Sequence, residues 1–217
     1  MDFHLPYLID YSHLAVDDAA IFCVAALVGI MVSAEGQAFV ATLLGDARAG
    51  AKDRFHYNVF LHMSVLGTLN FLVAGFGWAK EMDIDPKKLK SHPQLFLIIA
   101  RLSGPLANLL LANIAASLNW LIGSYGYEDK VFSTVAVVNV TMAVYSLLVI
   151  PPLPGAVLLF AFFPDNDFFA KVKKKLNFLG PFIIVGIFAA IRFSGWNGLN
   201  AVITPIVAAI TKTILGQ

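Results

Sequence analysis

The residue with the clearest capacity for chemistry is Glu35, near the end of a long apolar run in the stretch 32–44, VSAEGQAFVATLL. A carboxylate inside membrane-type sequence is costly to desolvate, so it has either a partner or a function. Ala34-Glu35-Gly36-Gln37-Ala38 has the outline of His-Glu-x-x-His. In that pattern two imidazoles one helical turn apart share a face and reach one zinc ion, with the glutamate as general base. Here alanine stands at both histidine positions, and a methyl group donates nothing to a metal. The donors that remain for a rebuilt site are His56 and His62 beside Glu35, with His92 farther along. Three ligands converging by chance is not the expectation, so neither a metal nor another cofactor is expected. The plainer readings are a hydrogen-bonded core carboxylic acid for Glu35 and a capping or bracing role for His62. Arg101 is a second charge inside an apolar run. A buried arginine often snorkels or bonds helix carbonyls.

The composition says what must hold these groups. The chain has 217 residues, of which 59% are hydrophobic and only 13% charged, with a mean hydropathy of +0.77. Soluble domains carry roughly a quarter charged residues, so the expected fold class is an all-α polytopic membrane protein of about five to six membrane segments. Eighteen phenylalanines and little alternation favour helices over a barrel. A net charge of +1 leaves no concentrated basic face for nucleic acid. Cys23 is the only cysteine, which excludes an intrachain disulfide and a cysteine-based zinc site. The start MDFHLPYLIDY lacks the basic region and cleavage site of a signal peptide, so the first span is expected to be retained.

Residues 1–17, with His4 and His13, read as an exposed acidic arm, and 18–217 as a single membrane domain. The expected spans are 18–44, 94–122, 131–163, 178–193 and a short 201–215. Segment 59–79 is apolar, but Gly67, Gly75, Gly77, His62, Ser64 and Asn70 weaken it as a spanning helix. A re-entrant course is therefore expected there. Pro151, Pro152 and Pro154 interrupt 131–163, because proline removes backbone donors. The stretches 45–58, 80–93 and 164–175 read as basic loops, and 124–130 as a mildly acidic one.

Separated pieces of the chain together resemble one family, the site-2 proteases, in its compact bacterial branch. SAEGQAFVATLLGDARA resembles the His-Glu-x-x-His-Ala helix followed by Leu-Gly-Asp. NVFLHMSVLGTL, with Phe76-Gly77-Trp78-Ala79-Lys80 after it, is similar to the branch's Asn-Pro-Leu-x-His-Ile-Asp-Pro-x-Gly-Thr and Phe-Gly-Trp-Ala-Lys-Pro strings. LSGPLANLLLA, with Gly104, Pro105 and Asn108, resembles the Ala-Gly-Pro-x-Ala-Asn helix. SLLVIPPLPGAVLL, with Pro151, Pro152 and Gly155, resembles Asn-Leu-Leu-Pro-Ile-Pro-Pro-Leu-Asp-Gly.

The resemblance spans about residues 25–215 and implies a three-helix core made from the first, third and fourth long segments. It also implies a zinc site at Ala34, Ala38 and Pro154, the positions of the two histidines and the aspartate, with Glu35 as a vestigial base. Every ligand position is degenerate, and Ser146 and Val149 depart from the pattern as well. Zinc brings the pKa of its bound water to about 7, and hydrolysis by the family route is not expected without it. Glu35 and Arg101 each lie about 10 residues from the basic side, so at ~1.5 Å per residue their depths agree. A Glu35–Arg101 pair where zinc would sit is therefore one expectation. Asn108 and the prolines correspond to stretches that hold an extended substrate in active relatives, and here maintaining the fold is the simpler role.

The expected function is thus a catalytically inactive homologue acting as a structural or accessory subunit of a membrane complex. Its partners would be membrane lipid and other membrane subunits or further copies of itself. An active metalloprotease with atypical ligands, or an ion or proton path through Glu35 and Arg101, are the alternatives. If 59–79 is re-entrant, all three basic loops share one face, which the positive-inside rule makes cytoplasmic in a bacterial inner membrane. A cysteine placed at Ser91 is expected to react with an impermeant reagent only from the cytoplasmic face, and labelling only from outside would overturn this topology.

Overall fold

The computed structural model of the chain describes residues 15–47, 57–90, 92–127, 129–164, 166–194 and 198–216. Most of the expected acidic arm, most of the 45–58 loop with His56, and Ser91 lie outside the described residues. The described residues form eight α-helices and a short 3-10 turn.

Helix α1 (Val16–Leu43) carries Asp17 and Asp18 in its first turn, where carboxylates oppose the positive end of the helix dipole. Helix α4 (Pro93–Ser124) opens on Pro93, whose missing N–H costs nothing at that position. Helix α5 (Lys130–Ser146) is capped by Asp129, which accepts from the N–H groups of Val131 and Phe132 at 3.0 Å each. These three helices pack on one another and form the frame. At one end of it Lys130 Nζ lies 3.8 Å from Asp18 Oδ1, an exposed pair that contributes little stability.

Between α1 and α4 the chain makes an excursion. Helix α2 (Val59–His62) is capped by Asn58, and α3 (Val65–Ala74) starts on Ser64, whose side chain accepts from Gly67 N–H. Gly75, at φ 68°, ends α3 in the left-handed conformation that glycine adopts without strain. The chain then returns extended over 77–85, with Met63 bridged to Ala79 and Lys80 N–H donating to the His62 carbonyl at 2.6 Å. Lys90 N–H donates to Leu44 O at 3.0 Å, and Asp85 N–H to the fully buried Asp46 carboxylate at 3.0 Å. The excursion therefore ends beside the α1 terminus from which it left.

Helix α3 packs on α7 (Asp167–Ser194), and α8 (Gly198–Leu215) on α5. The core between them contains Phe76, Trp78, Tyr145, Leu153, Ile184 and Phe188. Phe76 stacks on Tyr145 with ring centroids 4.6 Å apart. Three helices, Val16–Leu43, Pro93–Ser124 and Asp167–Ser194, are long and apolar enough to cross a membrane. Among the described residues the regular structure is helical apart from that bridge, which is compatible with a membrane protein.

Two boundaries differ from the sequence expectation. The run 131–163 is not one helix: α5 stops at Ser146, a turn follows, and α6 is only Ala156–Ala161. Gly155 N–H folds back to Ser146 O at 2.8 Å, while the prolines between have no N–H to continue the helix. The lysine-rich stretch expected as a loop is helical from Asp167 onward. Asn166 Oδ1 accepts Phe169 N–H at 2.9 Å, and lysine and alanine are good helix formers.

Gly180 of α7 lies against the proline turn so tightly that an added Cβ would strike the Pro151 carbonyl, whereas one on Gly186 meets nothing within 4 Å. Glycine to alanine gains up to about 1 kcal/mol in a helix interior, and backbone collision at Gly180 outweighs that gain. Gly180→Ala is therefore expected to lower the melting temperature and Gly186→Ala to hold or raise it, as read by thermal denaturation in detergent.

Candidate functional site

Glu35 projects from α1 toward the start of the excursion. Its Oε1 lies 3.1 Å from His62 Nε2, a geometry in which the imidazole N–H donates to the carboxylate, and it also accepts Tyr57 N–H at 3.1 Å. Both side chains are nearly buried, 6% exposed for His62 and 12% for Glu35. Glu35 Oε2 is buried with no hydrogen-bond partner among the described residues. The pair ties α1 to α2, so the carboxylate is held by the histidine of the next apolar segment.

The Glu35–Arg101 pairing expected from depth is not formed. Arg101 Nη2 donates to Glu81 Oε1 at 2.8 Å instead. The reason is rotational. Ser33 Oγ and Gln37 Nε2 lie close to Gly104 of α4, and Gly36 sits against Ala107 and Ser103. Glu35, two positions from Ser33 and from Gln37, is turned roughly 200° from each around the helix. Equal depth on two packed helices does not bring side chains together when one points away. Glu81 went unnoticed in the sequence because it lies in a stretch read as a solvated loop. Along 81–84 exposed and buried residues alternate, the period-two sign of an extended segment.

Ala34 and Ala38 are buried in a small apolar cluster with Ala41, Met82, Ile84, Leu89 and Ala100. Pro154 lies in the turn after α5 and lines a small cavity shared with Ser33, Gln37 and Arg101. The side chains at these positions do not fit a zinc ion: two methyl groups and a pyrrolidine ring supply no donor, where zinc takes three or four. Among the described residues no three His, Cys, Asp or Glu side chains come close enough to hold a metal.

The other motif positions lie at close contacts in the fold. Gly104 and Pro105 are buried in α4, and a Cβ on Gly104 would come within 2.7 Å of Ser33 Oγ. Asn108 is fully buried, with neither amide atom hydrogen-bonded among the described residues. A Cβ on Gly155 would meet the Leu147 carbonyl, so this glycine permits the turn that carries Pro151 and Pro152. That turn, the first turns of α4 and α7, and α6 enclose an open cleft of about 1030 Å³. Leu97, Ile98, Val157 and Phe160 are among its apolar walls, and Lys87 and Lys173 among its charged ones.

No protein-family model and no solved structure matches the chain. It is 35% identical over 127 residues to a protein of Bacillus subtilis (strain 168) named "Putative zinc metalloprotease YwhC". The match covers 54% of this chain and 58% of that protein, so the chain spans a little over half the length of the relative.

Proposed function

We propose that this chain is a metal-free homologue of the site-2 proteases, anchored in a bacterial inner membrane with its basic loops cytoplasmic, and that it serves as a structural or accessory subunit of a membrane complex. The observation that carries the reading is the donor chemistry at the three degenerate positions. Ala34 and Ala38 are packed among apolar side chains, Pro154 lies in a tight turn, and the retained carboxylate of Glu35 is engaged by His62 and by Tyr57 N–H. Three long apolar helices support the membrane location. The excursion that leaves and rejoins the same end of α1 supports a re-entrant course for 59–79. Scaffold without ligands suits a subunit whose work is assembly. The name of the 35% identical relative favours a second reading, an active metalloprotease with substitute ligands.

Metal analysis separates the two. Purified in mild detergent, the chain is expected to carry far less than one zinc per molecule and to co-migrate with another membrane subunit or a second copy. Stoichiometric zinc, lost together with proteolysis in Glu35→Gln, would replace this reading with the enzyme, and a chain that runs alone as a monomer would remove the subunit role. Packing supplies a further test. Ala34 and Ala38 are 1% and 0% exposed, so Ala34→His and Ala38→His each force a ring into a filled site. Each is expected to cost about 1–3 kcal/mol and to lower the melting temperature with or without added zinc. A zinc-dependent rise in the double variant would mean that the pocket is still formed.

A further inference from the structure

On the face of α1 away from Glu35 lies a small cavity lined by Ser33 and Gln37 of α1, Trp78 of the extended segment, Ser146 at the end of α5, and Arg101 and Pro154. Ser33, Gln37, Trp78 and Ser146 are each more than nine-tenths buried. Gln37 Oε1 and Trp78 Nε1 are both buried without a hydrogen-bond partner among the described residues. A buried donor or acceptor left unpaired is costly, so two of them on residues that line one cavity point to a ligand.

The identity of that ligand follows from valence and size. One orphan is an acceptor and the other a donor. A cation cannot satisfy an indole N–H, and an anion cannot satisfy an amide oxygen. Water does both. The cavity offers about 20 Å³ of room for water centres, just above the 10–15 Å³, roughly, that one water requires. Larger polar molecules do not fit. We propose that this cavity is a single-water site, the water accepting from Trp78 Nε1–H and donating to Gln37 Oε1, so that it joins α1 to the extended segment. Glu81, Arg101, Pro152 and Pro154 line both this cavity and the wide cleft, which gives the water a way in past the Arg101–Glu81 ion pair. This water and Glu35 lie on opposite sides of α1, so the site hydrates the domain without presenting water to the carboxylate. The inference goes beyond the proposed function and holds whether or not the chain binds metal.

The test is NMR of the full chain with nitrogen-15 tryptophan, in detergent, with the Trp78 indole N–H assigned by its loss in Trp78→Phe. A long-lived bound water gives that proton cross-peaks to water of opposite sign in the laboratory-frame and rotating-frame experiments. Proton exchange gives peaks of the same sign in both. The opposite-sign pair is expected at Trp78 and is expected to vanish in Gln37→Met, which removes the acceptor at similar size. No cross-peak, peaks of exchange sign only, or persistence in Gln37→Met would each overturn the proposal. Thermal melts give an independent reading. Because one water serves both groups, Trp78→Phe combined with Gln37→Met is expected to lose less than the sum of the two single losses, and losses that simply add would overturn the bridge.

Discussion

The close approach of α1 and α4 decides where the polar groups of α1 from Ser33 to Gln37 point. An added Cβ on Gly36 would come within 2.8 Å of the Ala107 methyl, and one on Gly104 within 2.7 Å of Ser33 Oγ. Lipid tails are as apolar as the side chains they would replace, so helices in a bilayer associate through close packing and hydrogen bonds rather than through a hydrophobic drive. Small residues at the crossing make that packing possible. The backbones come near enough for Ser103 Oγ to donate to the Gly36 carbonyl at 3.1 Å. Once this crossing is set, Ser33 and Gln37 are enclosed against α4, and Glu35 is turned out toward α2.

The charges in the apolar segments are then matched by partners from the excursion rather than by one another. His62 reaches Glu35 from α2, and Glu81 reaches Arg101 from the returning extended segment. The same segment brings Met82 and Ile84 into the cluster that encloses Ala34 and Ala38. One extended segment therefore neutralises a charge with one set of side chains and fills the space beside Ala34 and Ala38 with the alternate set. The backbone can stay extended there because protein covers it. His62 O accepts Lys80 N–H, and Asp46 accepts Asp85 N–H.

The long apolar runs are legible as helices because hydropathy alone distinguishes about twenty apolar residues from a loop. The break at Pro151 and Pro152 is legible because missing N–H groups are written in the residue type. Partner choice is not. The Arg101–Glu81 pair depends on the rotation of α4 and on an extended segment that carries Lys80, Glu81, Asp83 and Asp85, and so reads as solvated loop. The helix from Asp167 was hidden in the same way, since four lysines signal water contact but are silent on backbone conformation. Gln37 and Trp78 stand inside motif strings whose residue types do not say that they line one cavity, because a cavity is a property of packed surfaces rather than of any stretch of chain.

The unequal lengths of the frame helices have a consequence for the surrounding lipid. At ~1.5 Å per residue α4 is about 48 Å long and α5 about 26 Å, against a hydrocarbon thickness of roughly 30 Å. Hydrophobic mismatch of this kind is relieved by tilt on the long side and by local thinning on the short one. A bilayer around this chain would accommodate α4 by tilt, whereas α5 is not among the helices long enough to cross it and leans on α1 and α4 instead.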